Sequence, residues 1–108
     1  MNIVTRKHLV EAQERFQEAA KEIQAWFMVA KAARWRNFLE VRQVFKEADD
    51  VDGYLVFNIR KNRYRLITVI HYSRRRDDRI TEGHIYIRSV LTHKEYGNRT
   101  NWEKGVRT

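Results

Sequence analysis

The chain has 108 residues, of which 43% are hydrophobic and 33% charged, and it carries a net charge of +8 with an isoelectric point near 10.1. This length is typical of one domain with a modest core, and the hydrophobic content is that of a folded chain rather than a disordered one. The positive charge favours a polyanionic partner, most often nucleic acid, while acidic proteins and anionic membranes are the alternatives on charge alone.

The composition excludes several kinds of site. There is no cysteine, so disulfides and thiolate metal sites are excluded. The four histidines are widely spaced and form no metal-ligand motif, so we expect neither a metal nor another cofactor. No apolar run approaches the ~20 residues of a membrane span, and the N-terminal segment becomes charged too early for a secretory signal. We therefore expect a cytoplasmic protein with no membrane partner.

The first half of the chain has the periodicity of amphipathic helices. Neither Gly nor Pro precedes Gly53. Apolar residues recur there at steps of three or four: Leu9, Ala12, Phe16, Ala19, Ile23, Trp26, Phe27 and Ala30. Thr5 is the expected N-cap, and a corner between two helices is expected within RFQEAAKE. Asn37 followed by Glu40 resembles a capping box and predicts another helix start, so the helical region spans about residues 5–48.

After the polar connector EADDVDG the period changes to two. Runs rich in Val, Ile, Tyr and Phe predict strands over about Tyr54–Arg60, Tyr64–Ser73 and His84–Thr92. We predict a long exposed loop for SRRRDDRITEG and a loose C-terminal tail over about residues 97–108. Helices followed by strands indicate one α+β domain over residues 1–108, in which N-terminal helices pack on one face of a small antiparallel β-sheet over about residues 54–92.

The hairpin between the first two predicted strands is dense in cations with no acidic residue among them. A two-residue turn at Lys61-Asn62, with a positive φ at Asn62, fixes the pairing of the strands. Opposed side chains share a face, so one set is expected on the uncovered side of the sheet: Asn58, Arg60, Arg63, Arg65 and His71. A solvated face is the alternative, but such faces usually mix charges, so a phosphate-binding surface is the sharper interpretation.

The third predicted strand adds candidates for proton transfer. Arg88 is expected on the same side as Arg65, because burial without a partner is costly. The opposite side of this strand is expected to carry Ile85, Ile87 and Leu91. His93, Lys94 and Tyr96 follow in THKEY; imidazole titrates near neutrality, whereas lysine and tyrosine would need pKa values lowered by dense positive charge. The structural alternatives are a strand cap for His93, a solvated Lys94 and a core position for the Tyr96 ring.

Five segments together resemble a known family. VFNIRKNRYRLI, VIHY, IYIRSVLTHKEY, IVTRK and ARWRNFLEV are similar to the HigB toxins, a branch of the RelE-like superfamily of bacterial toxin–antitoxin systems. The resemblance extends to about Tyr96 and implies the RelE/ParE-like fold. It also implies a ribosome-dependent endoribonuclease that cuts mRNA during translation and is held inactive by HigA, a helix-turn-helix antitoxin.

The resemblance also suggests roles for individual residues. Arg65 matches the arginine of the superfamily's YRL strand, Arg60 lies where those toxins often have a lysine, and His93, Lys94 and Tyr96 occupy the region of the C-terminal basic and tyrosine positions. The resulting hypothesis is metal-free cleavage by the 2′-OH of the RNA. Arg65 would stabilise the phosphate and the THKEY residues would serve catalysis. Further RNA or phosphate contacts are expected from Asn58, Arg60, Arg63 and Arg88.

Two other functions remain as alternatives at this point. A ParE-like toxin inhibits DNA gyrase and cuts no RNA, and a non-catalytic RNA-binding module would use the same cations without chemistry. The proton-transfer groups of THKEY favour the nuclease, because simple binding does not need them. The RRR run after the second strand either contacts ribosomal RNA or is solvated.

Overall fold

Helices fill the first half of the chain and most strands the second, as the change of period predicts. The structure is a computed structural model that describes residues 1–102. The helices are α1 (Lys7–Arg15), α2 (Ala20–Ala32), α3 (Phe38–Val44) and α4 (His93–Tyr96), with short 3₁₀ turns at Gln17–Ala19 and Arg99–Asn101. The strands are β1 (Asn2–Val4), β2 (Asp49–Val51), β3 (Tyr54–Ile59), β4 (Tyr64–His71), β5 (Arg74–Arg76), β6 (Arg79–Thr81) and β7 (His84–Thr92).

Five strands form one sheet in the order β1-β7-β4-β3-β2. β1 runs parallel to β7, and the other neighbours are antiparallel. The predicted register between β3 and β4 is confirmed, since Asn58 lies opposite Arg65 and Val56 opposite Ile67. With the N-terminal helices on one face of this small sheet, the α+β fold class is confirmed.

The main core lies between the helices and the sheet. The whole predicted apolar stripe of α1 and α2 is buried there, including Ile23 and Trp26, and it meets Phe57, Leu66 and Ile85 from the strands. Burial of a large apolar side chain contributes about 1.5–3 kcal/mol relative to exposure, so this interface is the main source of stability. The helical layer therefore occupies one face of the sheet and leaves the other to a different set of residues.

The opposite face carries a second cluster, which the sequence did not predict. It contains the buried residues Tyr54, Val56, Ile67, Leu91 and Trp102, with Val51, Val69 and Tyr96 packed against them. The face expected to be uncovered is thus partly covered, and the covering ring comes from the segment expected to be a loose tail. Trp102 is only 4% exposed. The rest of that predicted tail, residues 103–108, lies outside the described residues.

The helix boundaries confirm some local signals and correct others. The corner is present, because α1 ends at Arg15 with Phe16 as its C-cap, and a 3₁₀ turn precedes α2. The Asn37 side chain accepts a hydrogen bond from the Glu40 amide at 2.9 Å, which confirms the predicted cap of α3. Thr5 is not a cap: it adopts a φ of +66° where the chain reverses from β1 into α1, and Arg6 takes the N-cap position.

The segment SRRRDDRITEG is a hairpin rather than a loop. β5 and β6 pair as a separate two-stranded sheet, with Asp77 at a φ of +52° in the turn.

The alternation of β7 is interrupted by a bulge, because Ile67 lies opposite Ser89 and Thr68 lies opposite Ile87. Arg88 is the extra residue of this bulge and has no residue opposite it. Leu91 therefore packs in the second cluster, and the prediction that it shares a side with Ile85 and Ile87 is wrong.

No helix among residues 1–102 is long and apolar enough to cross a membrane.

Candidate active site

Arg65 lies near the start of β4 on the face away from the helices. It is opposite Leu91, which packs in the second cluster, and opposed residues share a face. Its Cζ lies 5.3 Å from the centre of the Tyr96 ring, and its Nη1 donates to the Asn62 carbonyl at 2.5 Å. Among residues 1–102 it forms no ion pair. The guanidinium is therefore positioned by a ring and a turn carbonyl while its charge remains uncompensated.

The three THKEY candidates lie in α4, which follows β7 directly. Thr92 and Glu95 form a capping box: the Glu95 amide donates to Thr92 Oγ1 at 3.1 Å, and the Thr92 amide donates to Glu95 Oε1 at 3.0 Å. Arg15 of α1 pairs with Glu95 Oε2 at 3.0 Å. The Thr92 amide, with a further contribution from Arg15, lowers the pKa of Glu95. The T-x-x-E spacing was present in the sequence and could have predicted this turn.

His93 and Lys94 are exposed at the beginning of α4. The His93 amide donates to the Arg63 carbonyl at 2.8 Å, which joins α4 to the hairpin between β3 and β4. Thr92, the residue before His93, lies opposite Tyr64, the neighbour of Arg65. The structure thus brings the backbone of the imidazole-bearing turn next to the strand that carries Arg65.

Tyr96 is half-buried and stacks on Trp102, with ring centres 5.1 Å apart and planes inclined by 15°. Trp102 Nε1 donates to the Tyr96 carbonyl at 3.0 Å. Burial, followed by the charge of Asp49, raises the pKa of Tyr96 and outweighs the opposing effect of Arg65 and Arg99. The expectation that dense positive charge would lower this pKa is therefore wrong, and Tyr96 keeps its proton at neutral pH. Sequence reasoning missed Trp102 because an isolated aromatic in a polar segment has no periodicity.

The arginines at the hairpin tip contact the helical layer, so the prediction that they share the face of Arg65 is wrong. Arg63 Nη1 pairs with Glu18 Oε2 at 3.1 Å, and Arg60 Nη1 donates to the Glu18 carbonyl at 3.3 Å. The positive φ angles fall at Arg60 and Lys61, at +51° and +61°, and not at Asn62. The physical reason is Glu18, which lies at the edge of the helical layer and contacts both arginines. It is far from the hairpin in sequence, so no local pattern predicts this contact.

The remaining candidates are spread around the sheet. Asn58 Nδ2 donates to Glu47 Oε2 at 3.2 Å. Arg88 is exposed, and its Cζ lies 6.0 Å from the centre of the Tyr54 ring, on the face of Arg65 but beyond the rings of the second cluster. His71 packs against Tyr86 at the far end of β4, about 20 Å from Arg65 at ~3.3 Å per residue. The structure therefore gathers Arg65, Tyr96 and the first turn of α4 and leaves the others apart.

Comparison with known proteins indicates the class of protein to which this fold and site belong. Residues 19–99 match a family model described as the RelE-like toxic component of a toxin–antitoxin system. Two similar curated proteins are the mRNA interferase toxin HigB of Escherichia coli (strain K12) and the mRNA interferase HigB of Shigella flexneri. Each is 26% identical to this chain over 99 residues, which covers 89% of this chain and 88% of the relative.

The chain belongs to the HigB toxin family. A toxic component of this kind is one half of a pair, so family membership implies an antitoxin partner. Trp102 lies outside the matched residues, which end at residue 99.

Proposed function

We propose that this protein is a type II toxin that cleaves mRNA as a ribosome-dependent endoribonuclease and so inhibits translation. The observation that carries the proposal is Arg65, an uncompensated guanidinium held over the Tyr96 ring and next to the turn that bears His93 and Lys94. The names of the two relatives, both mRNA interferases, support it. The proposed binding partners are mRNA, the translating ribosome and a HigA-type antitoxin.

The proposed reaction needs no nucleophile from the protein. The 2′-OH of the RNA forms a bond to the adjacent phosphorus, the bond to the 5′ oxygen of the next nucleotide breaks, and a cyclic phosphate and a 5′-OH remain. One proton leaves the 2′ oxygen and another reaches the departing 5′ oxygen. Arg65 stabilises the charge that develops on the phosphate oxygens, a contribution that is usually the largest single one. His93 and Lys94 are the proposed proton carriers.

Tyr96 has a role that follows from its raised pKa. A phenol that keeps its proton can donate a hydrogen bond to the RNA backbone but is not a base at neutral pH. Its ring also positions the guanidinium of Arg65. Asn58, Arg60, Arg63 and Arg88 remain proposed RNA contacts around this centre. For the side chains of Arg60 and Arg63 the RNA would compete with Glu18 of the helical layer.

The antitoxin is proposed to cover this face. Charge complementarity predicts an acidic contact segment, because Arg65 forms no ion pair with a carboxylate among residues 1–102.

The test is to map transcript ends in a translating extract with wild type, Arg65→Ala and His93→Ala. We expect new ends that bear a cyclic phosphate and a 5′-OH, reduced roughly 10²-fold or more by Arg65→Ala and about 10²–10⁴-fold by His93→Ala. Arg34→Ala is the control, since Arg34 is an exposed arginine outside the site and lies between α2 and α3.

Cleavage by Arg65→Ala at the wild-type rate would contradict the site. Growth inhibition with intact mRNA and trapped gyrase would instead identify a ParE-like toxin, and RNA binding without toxicity would identify a binding module.

A further inference from the structure

The hairpin of β5 and β6 carries four arginines on a short ribbon. Arg74 lies opposite Thr81, Arg76 opposite Arg79, and Arg75 opposite Ile80. Because opposed residues share a face, Arg74, Arg76 and Arg79 lie together on one side of the ribbon. Arg75 and the exposed Ile80 lie on the other. The ribbon thus presents three guanidinium groups to solvent in one layer.

These guanidinium groups have no partner within residues 1–102. No guanidinium of the four arginines forms an ion pair or a hydrogen bond with a described residue, although Asp77 and Asp78 form the adjacent turn. In the hairpin between β3 and β4, by contrast, Arg63 forms an ion pair with Glu18. Like charges directly opposite each other on a ribbon are destabilising, as for Arg76 and Arg79. An anion on this side therefore stabilises the hairpin.

The base of the hairpin is fixed to the body of the protein. Ser73 is 5% exposed, its amide donates to the Trp35 carbonyl at 2.9 Å, and its hydroxyl donates to the Thr81 carbonyl at 2.7 Å. Gly83 closes the hairpin so tightly that a Cβ there would lie 2.6 Å from the His71 carbonyl oxygen and 2.8 Å from the Ser73 nitrogen. The arginine side is consequently preorganised, and little backbone ordering is needed when it binds.

We propose that the arginine side of this hairpin is a second RNA-binding surface, which contacts the phosphates of double-helical RNA without reading sequence. The inference rests on the proposed function, since it supplies the docking contact of an enzyme that acts on RNA elsewhere. Arg65 and the hairpin lie at opposite ends of β4, so one nucleotide cannot contact both. The hairpin holds a structured RNA while the active site receives a single strand.

Chemistry favours RNA over a protein partner. The guanidinium fork matches phosphate oxygens in a bidentate manner. Arginines two positions apart on a strand are ~6.6 Å apart, and opposed residues are about 4.5–5.5 Å apart, which gives a two-dimensional array of donors. The core of a stable protein interface is usually more apolar than the rest of the surface, but the only apolar residue of the ribbon, Ile80, lies on the other side. Double-helical RNA is recognised mainly through its shape, phosphates and 2′-hydroxyls. An array of guanidinium donors can contact these groups without reading the bases.

The experiment measures binding of Arg65→Ala protein to a perfectly paired RNA duplex of about 16 base pairs, so that cleavage does not interfere. On this background the triple change Arg74→Gln, Arg76→Gln and Arg79→Gln should weaken binding roughly tenfold or more. It should also reduce the slope of log affinity against log salt by about two to three. The matched control loses the same charge from exposed lysines of the N-terminal half, by Lys7→Gln and Lys21→Gln in the helices and Lys46→Gln just after α3.

Equal affinities and equal salt slopes for the two triple variants would overturn the inference. Unchanged RNA binding together with lost neutralisation by an acidic antitoxin would also overturn it and would assign the hairpin to a protein partner. Thermal unfolding of both variants checks that they are folded. If the wild-type protein cuts no transcript but duplex binding still depends on the hairpin, the result supports this surface and contradicts the nuclease proposal. Failure of the proposed function can therefore be distinguished from failure of this inference.

Discussion

Arginines of one hairpin meet three different environments, and this decides which of them is available to a phosphate. Arg63 pairs with a carboxylate of the helical layer, and Arg60 donates to a carbonyl there. Arg65 lies over an aromatic ring, a contact that contributes about 0.5–1 kcal/mol at an exposed site and does not neutralise the charge. Anion affinity on this hairpin is therefore expected to be concentrated at Arg65.

Glu95 predicts a pH dependence of stability at the residue scale. Its pKa is lowered in the folded state, so its contribution is full above its ordinary value of about 4.3 and is lost as the pH falls through the folded pKa. Glu95→Gln should therefore lower the thermal midpoint at about pH 7, and the difference from wild type should shrink in acid. Thermal unfolding across this range measures it.

The control for this prediction is Glu14→Gln in α1. Glu14 is exposed and forms no ion pair with another described residue. Its curve should follow wild type at every pH. A Glu95→Gln difference that stays constant down to the lowest pH would show that the capping box and the Arg15 pair act only through geometry.

At the scale of elements, the short helix α4 depends on contacts from three other elements. The capping box orients its first turn, Arg15 of α1 pairs with Glu95, and the turn after α4 returns Trp102 onto the sheet. A four-residue helix is too short to be stable alone, so tertiary contacts maintain it. The positions of His93, Lys94 and Tyr96 therefore depend on residues that perform no chemistry.

Trp102→Ala should destabilise the protein by about 3 kcal/mol, because it removes a large buried ring that packs on Tyr54 and Tyr96. Trp102→Phe keeps the stacking and loses the hydrogen bond to the Tyr96 carbonyl, at a cost of about 1 kcal/mol. Urea unfolding measures both. Val10→Ala, a change of an exposed side chain in α1, should stay within about 0.5 kcal/mol of wild type. A Trp102→Ala protein as stable as this control would show that the C-terminal turn does not hold Tyr96.

At the scale of the whole molecule, charge divides the surface. At the tip of one hairpin, Glu18 of the helical layer pairs with Arg63, and Glu22 accepts a hydrogen bond from the Arg60 amide. Arg65 and the arginine side of the β5–β6 hairpin have no such partner among residues 1–102 and lie at opposite ends of β4. The distribution gives the molecule two separate cationic regions, of which one adjoins groups that can transfer protons.

The contact between the two layers predicts local dynamics at the tip. The Arg60 amide donates to Glu22 Oε2 at 2.6 Å, so Glu22→Ala should increase hydrogen exchange over residues 60–63. Exchange in the centre of β7 should remain as in wild type, because those amides belong to the sheet. Glu14→Ala serves as the matched change on α1. Unaltered exchange at the tip would mean that the turn is maintained by its own backbone bonds alone.

Local patterns in the sequence determined the longer elements of this protein. The apolar stripe placed α1 and α2 on the core, and alternation placed β3, β4 and β7 with Asn58 opposite Arg65. Strands of three residues, such as β1 and β2, are too short to show a period. The sequence could thus identify the fold and Arg65, together with the THKEY segment, as candidates.

Only the tertiary structure decided which candidates meet. Glu18 reaches Arg63 across 45 positions in the chain, the bulge at Arg88 shifts the alternation of β7, and Trp102 covers a face expected to be open. These outcomes depend on contacts between residues far apart in sequence, whereas periodicity and capping signals report only on neighbours a few positions away. The sequence therefore determined the kind of protein, and packing decided the electrostatic environment of each arginine.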